Sequence, residues 1–327
     1  MKLGLFLSAQ FDPTDDLNSK LGELKDQVVA AEKFGFSSVV LGHHYLARSA
    51  FMQPIPLAGY LSSFTTDIQI VFGVLLAPLL NPLALAEDIA TLDALSNGRV
   101  TVGLGAGYRA IEFDAFGLPY EERFKILESY VPILRSLLRG EEVTATGHFG
   151  TLNKARICTK SHSPEGPPIW LGAFGDIGIK RAARLDTSWL AGPEGDIEVL
   201  NQRLSLFRDE LEKHGFSSDR EYPITRECSV AVTREEALLN ARPYLQSQYE
   251  GYRNWEQAQS LDIDEFLMTH CLVGTPDDIL NRLQIYKEEL GVTEVFLRAQ
   301  WMGMPNEKVM ETIQILGEHV LPEIRSW

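Results

Sequence analysis

Two adjacent histidines, His43 and His44, end the apolar run SVVLG and are followed by Tyr45. Imidazoles suit proton transfer or hydrogen bonding near neutral pH, and they also ligate metals. A metal site needs more ligands converging at one place. His148, His162, His214 and His319 fall in irregular or helical stretches, and His270 precedes the last helix–strand unit, so no metal is expected. Ordinary buried histidines are the competing reading for each of the pair.

A second candidate is the stretch RVTVGLGAGYRAIEF, residues 99–113, in which Gly103, Gly105 and Gly107 alternate. A dinucleotide fingerprint would place its third glycine at position 108, which is Tyr108. It would also place an acidic residue at the end of a second strand, whereas Glu121 and Glu122 open a helical stretch. The glycines therefore serve either a close backbone approach to a flat ligand or a tight turn. A third candidate is the loop Gly172-Ala173-Phe174-Gly175-Asp176, which leads into a helical pattern and can aim backbone N–H groups at a phosphate. Arg226 and Arg298 sit in or at the end of strands, where a charge needs a partner: a substrate anion, or Glu227 or Glu294. Trp301 either walls a pocket or caps the core, and Glu87 and Asp93 hold the NGR turn.

The elements that must position these groups are eight short β-like runs: residues 2–8, 38–42, 68–76, 99–105, 167–173, 187–192, 224–232 and 294–300. Most are continuously apolar, as parallel strands covered on both faces are. Helical patterns lie between them. Leu17, Leu21, Leu24, Val28 and Ala31 form one stripe that Gly35 ends; Asn81-Pro82 opens another helix and Asn97-Gly98 closes it. Thr275-Pro276-Asp277-Asp278 starts a later one. This alternation predicts an α/β fold, a (β/α)₈ TIM barrel forming a single domain over residues 1–327, with its site at the C-terminal strand ends. Residues 140–167 and 246–270 are inserted excursions, the second either a helical extension or a mobile cover.

Thirty Lys and Arg against 45 Asp and Glu leave a net charge of −15 in 327 residues, which opposes nucleic acid and anionic membranes as partners. No leader or membrane-length apolar run stands out, so a soluble, cytoplasmic protein is expected. Cys158, Cys228 and Cys271 are too scattered for a zinc site and are expected as reduced core thiols.

The segments MKLGLFLSAQ, FGFSSVVLGHHY, PLALAEDIATLDALSNGRVTVGLGAGYRAIEFDAFG, PPIWLGAFG and LVGTPDDIL, in this order, resemble the bacterial-luciferase-like flavin-dependent monooxygenases over essentially the whole chain. Residues 81–117 are the most specific part. The resemblance implies a (β/α)₈ barrel and a reduced FMN, delivered by a separate flavin reductase. That FMN reacts with O₂ to give a hydroperoxide that oxygenates a small organic substrate. It further implies His43 as the active-site histidine with a pKa near neutrality, His44 beside it, and a cis bond at Gly73-Val74 under the flavin ring. Gly105, Gly107 and Tyr108 then line the ring, and Arg298 is a further catalytic candidate. The chain departs from the family at Gly42, where Glu is frequent, and at Ala106 and Phe174, where luciferase has an arginine and a hydroxyl residue. Phosphate binding then rests on the backbone of Ala173, Phe174, Gly175, Ile177 and Gly178, with Arg109 assisting. A homodimer is expected. The alternatives are hydride transfer with a deazaflavin, and a non-catalytic flavin-binding partner subunit.

Overall fold

The computed structural model describes residues 1–253 and 262–327. All eight expected strands are present, and a ninth joins them: β1 (Lys2–Leu7), β2 (Ser38–Leu41), β3 (Gln69–Leu76), β4 (Val100–Gly105), β5 (Ile169–Gly172), β6 (Ser188–Leu190), β7 (Pro223–Val230), β8 (Leu272–Gly274) and β9 (Glu294–Arg298). They form one parallel sheet in the order β6-β5-β4-β3-β2-β1-β9-β7-β8. The sheet is curled. Ala191, just beyond β6, bridges to β7: its N–H donates to Pro223 O at 3.1 Å, and its carbonyl accepts from Thr225 N–H at 2.9 Å. β8 was not foreseen because LVG is too short to show a period.

Apolar residues divide between the two faces of the curl. A small inner core of Val40, Val71, Trp170, Leu190 and Phe296, with Phe6 and Val74 against it, fills the concave side. A larger core lies between the convex side and the helices, where the strands are apolar on both faces as parallel strands require. Helix punctuation follows the residues. Asn81 Oδ1 accepts the N–H of Leu83 and Ala84 at the start of helix Pro82–Leu95; Gly35, at φ 88°, ends helix Leu17–Phe34; Thr275 and Asp278 form a capping box.

The NGR turn has a structural purpose. Buried Arg99 donates to the carbonyls of Ser62, Thr65, Ile68 and Ser96, locking the start of β4 to the chain entering β3. Asp93 Oδ2 accepts the His162 N–H, and Glu87 accepts from the Thr159 hydroxyl, so these side chains hold the segment at residues 159–162 rather than the NGR turn expected of them.

The first excursion holds an antiparallel hairpin, Val143–Gly147 with Gly150–Ala155. In the second, helices Arg234–Arg253 and Ile263–Thr269 reach into the expected cover from both sides, and its centre, residues 254–261, lies outside the described residues. Cys228 and Cys271 are buried, whereas Cys158 is exposed rather than in the core. No helix among the described residues is long and apolar enough to cross a membrane.

Candidate active site

Gly105 on β4 and Gly172 on β5 answer to Val74, and Gly103 answers to the Phe72 carbonyl. The β3–β4 register shifts between Phe72 and Leu75, and the Gly73-Val74 peptide within that shift is cis. A Cβ on Gly105 would stand 2.5 Å from Val74 Cγ2, and one on Gly172 2.8 Å from Val74 Cγ1. On Gly103 it would stand 2.0 Å from the Phe72 carbonyl oxygen. Glycine on β4 and β5 thus admits the displaced strand and makes a floor of backbone and one valine side chain. Gly107, at φ 78°, turns the chain away and delivers Tyr108 to the mouth.

His43 and His44 rise beside this floor from the end of β2. His43 is 5% exposed, and its Nδ1 accepts the N–H of Leu76, at the end of β3, at 3.2 Å. The ring hydrogen of the neutral form is therefore on Nε2. Burial, and next the neighbouring His44, push the His43 pKa down to about 4, against smaller opposing effects of Gln53 and Glu112. The expectation of a value near neutrality is thereby corrected: once desolvated, this histidine is uncharged at pH 7 and acts as a hydrogen-bond donor.

His44 is built into a chain of polar groups. Its Nδ1 lies 3.2 Å from Glu112 Oε1 and its Nε2 3.0 Å from the Tyr108 hydroxyl. Glu112, fully buried in helix Ala110–Phe116, also accepts from the Tyr45 N–H at 2.9 Å and from Arg109 Nη1 at 3.1 Å. Burial alone would raise the Glu112 pKa, but hydrogen bonds from His44 and Tyr45 and the Arg109 charge hold it below the usual carboxylate range. Glu112 was missed in the sequence; its three-residue spacing from Arg109 on a helix start was the available signal. Arg109 also donates to the carbonyls of Tyr45 and Leu46, so it braces this loop and does not serve as the phosphate arm expected of it.

Across the mouth, Arg298 lies over the Phe6 ring, 4.3 Å from its centroid, and pairs with Glu227 at 3.1 Å. Glu227 also accepts from Trp301 Nε1 at 2.7 Å and from the Tyr249 hydroxyl at 3.2 Å. Of the partners proposed for Arg298 the structure selects Glu227, and Trp301 is buried beneath as part of the same cluster. Arg226 points elsewhere: fully buried, it donates to Gly192 O, Gly195 O, Thr225 O and the Tyr286 hydroxyl, and so holds the loop after β6. On that loop Glu194 is open to water yet ringed by protein, and burial raises its carboxyl pKa against the pull of Arg226 and Arg298.

The rim is completed by Ala173 to Gly178. Trp189 Nε1 donates to Ala173 O and fixes the loop, and helix Asp176–Arg184 begins at Gly175 with no side chain capping its first N–H groups. Phe174 and Ile177 stand 51% and 74% exposed there. The sequence candidates therefore meet in three places: His43, His44 and Tyr108 on one bank, Gly73, Val74, Gly105 and Gly107 on the floor, and Ala173, Phe174, Gly175, Ile177 and Gly178 on the rim. Arg298 faces them. Among the described residues no group of three or more His, Cys, Asp or Glu is arranged to hold a metal ion. A depression of about 720 Å³ opens at the opposite strand ends, but its arginines are occupied: Arg139 by Glu165, Arg220 by Asp186, and Arg135 by the carbonyls of Leu185 and Asp186.

Residues 1–294 match the family described as luciferase-like monooxygenase. The chain belongs to that family. Over its whole length it superposes on the monooxygenase RslO1 from Streptomyces bottropensis with a TM-score of 0.85 at 25% identity, covering 99% of this chain and 100% of that one. The FMN complex of the oxygenating constituent of 3,6-diketocamphane monooxygenase from Pseudomonas putida gives 0.82 at 16% identity, covering 99% and 98%. Among sequence relatives, the F420-dependent glucose-6-phosphate dehydrogenase of Nakamurella multipartita is 26% identical, covering 93% of this chain and 93% of its own. The family thus contains FMN monooxygenases and F420-dependent enzymes, and its members are oxidoreductases.

Proposed function

We propose that the protein is an FMN-dependent monooxygenase acting on a small organic molecule with O₂, its reduced FMN supplied by a separate reductase. The curled sheet is read as a (β/α)₈ barrel closed at Ala191–Ile224, with β8 added outside the eight. One observation carries the reading. A glycine-lined floor, a neutral histidine and a helix N-terminus without a side-chain cap share one mouth, and a flavin needs this combination for its ring and its phosphate. The residues fit the cofactor: backbone N–H groups of residues 176–178 would hold the phosphate, and Gly105, Gly107 and Tyr108 would line the ring. When bound, FMN supplies the electrons that activate O₂. His43 keeps its hydrogen on Nε2 and donates it as a hydrogen bond; Phe174 and Ile177 exclude water along the rim.

Deazaflavin hydride transfer is the second reading, favoured because the F420-dependent dehydrogenase of Nakamurella multipartita matches this chain nearly end to end. Fluorescence titration of the purified protein with FMN, riboflavin and a deazaflavin separates the two. The first reading expects FMN to bind more tightly than riboflavin, and Ile177→Asp to weaken FMN about tenfold with riboflavin unmoved. Oxygen uptake with a reductase should accompany it. Deazaflavin binding without FMN binding selects hydride transfer.

A further inference from the structure

We propose that Tyr108, His44 and Glu112 form a proton relay at the mouth, in which the Tyr108 hydroxyl exchanges protons with the bound reactants and His44 and Glu112 position and store the proton. The inference rests on the oxidoreductase reading and adds to it a second acid–base group, separate from His43.

The direction of each hydrogen bond follows from the partners. Glu112 Oε1 already accepts from the Tyr45 N–H and Arg109 Nη1, so the carboxylate is an acceptor and His44 Nδ1 donates to it. In the neutral ring Nε2 then carries a lone pair, which accepts from the Tyr108 O–H at 3.0 Å. The adjacent histidines consequently hold opposite tautomers: His43 is hydrogenated at Nε2, because its Nδ1 accepts from Leu76, and His44 at Nδ1. The arrangement repeats the logic of a hydroxyl, an imidazole and a buried carboxylate in line. It differs in that the hydroxyl is a phenol and Arg109 stands behind the carboxylate.

With His44 neutral, Tyr108 donates to His44 Nε2, and a phenol oxygen that donates retains acceptor capacity. A reactant X–H passes its proton to the Tyr108 oxygen while the original Tyr108 proton moves to His44 Nε2. The X–H bond breaks and one O–H bond is replaced by another. His44 becomes an imidazolium paired with Glu112, and X keeps the electron pair. The reverse sequence delivers a proton, so no electrons are exchanged and no further reagent is needed. The backbone of Tyr108 is held for this task, since the Tyr120 hydroxyl donates to its carbonyl at 3.0 Å. Among the described residues, the titratable or charged groups facing His44 include His43 on its own loop, Tyr45, Tyr108, Arg109 and Glu112, and the hairpin strand Ala50–Phe51 contributes the Phe51 ring.

The test has two arms. Long-range ¹H–¹⁵N spectra of the ligand-free protein, labelled in histidine, should show His43 hydrogenated at Nε2 and His44 at Nδ1, and Glu112→Gln should abolish the preference at His44 alone. The opposite tautomer at His44 overturns the relay. In the second arm reduced FMN is bound and mixed with O₂ in a stopped-flow instrument. Tyr108→Phe keeps the ring and should leave FMN affinity within threefold, while the proton-dependent phase slows about 10²-fold. Glu112→Gln should slow it less, because the imidazolium loses its counter-charge but Tyr108 and His44 both remain. An unchanged rate and pH profile in Tyr108→Phe overturn the relay. Failure of FMN to bind wild-type protein overturns the functional reading instead, and the nitrogen spectra still decide the hydrogen-bond order.

Discussion

The two banks of the mouth are built on opposite electrostatic plans. On the β2–β4 bank the groups nearest the floor, His43, His44 and Tyr108, can each lose or gain a proton; Leu76 N–H is a fixed donor to His43, while the bonds of His44 to Glu112 and Tyr108 allow the donor and acceptor to exchange. On the β7–β9 bank the Glu227 carboxylate takes Arg298 and the Tyr249 hydroxyl on one oxygen and the Trp301 ring N–H on the other. An arginine cannot deprotonate, and a carboxylate that accepts from three donors is fixed in place. One bank is organised to move protons; the other fixes a charge and holds shape.

That contrast is broken most forcefully at Glu227. The residue is 1% exposed, and removing it takes a shared acceptor from a guanidinium, an indole N–H and a phenol together. Glu227→Ala should cost about 3 to 5 kcal/mol in urea unfolding, the usual penalty for an uncompensated buried charge. The double variant Glu227→Leu with Arg298→Met should recover most of that loss, since apolar replacement of both members is often neutral. A single-variant loss below about 1 kcal/mol would mean that water enters the cluster and the bank is not locked.

The floor between the banks supports a finer test. Gly103→Ala drives a methyl toward a backbone oxygen, which cannot retreat, whereas Gly105→Ala meets only the end of the Val74 side chain. Both overpack the floor, at about 1 to 3 kcal/mol, with Gly103→Ala at the upper end or beyond. Adding Val74→Ala should rescue Gly105→Ala and leave Gly103→Ala unimproved, as read by thermal melting. Equal rescue of both would show that the glycines are not spaced for Val74.

The banks also differ in how much of them the sequence discloses. Apolar runs and turn residues mark eight strands and their order, because a buried parallel strand must be apolar on both faces. The histidine pair and the glycine alternation stand out as residue types. Their partners do not: Glu112 is one of many acids on helices, and only the return of β4 past β2 brings it to His44. Arg226 and Arg298 look alike in the sequence, each in a strand beside apolar residues. Pairing register decides between them, for Glu227 faces Arg298 while Arg226, one residue away, points to the opposite face and binds a loop. Burial of His43, which lowers its pKa, is likewise a property of packing and invisible in the letters His43-His44.

The smallest expected effect concerns that burial. The His43 pKa is lowered from 6.5 to about 4, chiefly by desolvation and then by His44. The unfolded chain therefore binds the proton first as pH falls. The contribution to stability is complete above about pH 6.5 and is lost progressively between about 6.5 and 4. From pH 7 to 5 the loss amounts to about 2 kcal/mol by linkage. His270, also lowered by burial, adds to the same window, and Glu112, held below the carboxylate range, acts at lower pH. The wild-type slope alone is therefore not diagnostic, but its difference from His43→Gln is, because both other groups remain in the variant. Urea unfolding at pH 7, 6 and 5 should show wild type losing about 2 kcal/mol more than His43→Gln across that interval. Parallel curves would place His43 in water or in its charged form, and the β2–β4 bank would then carry a fixed charge like the bank opposite.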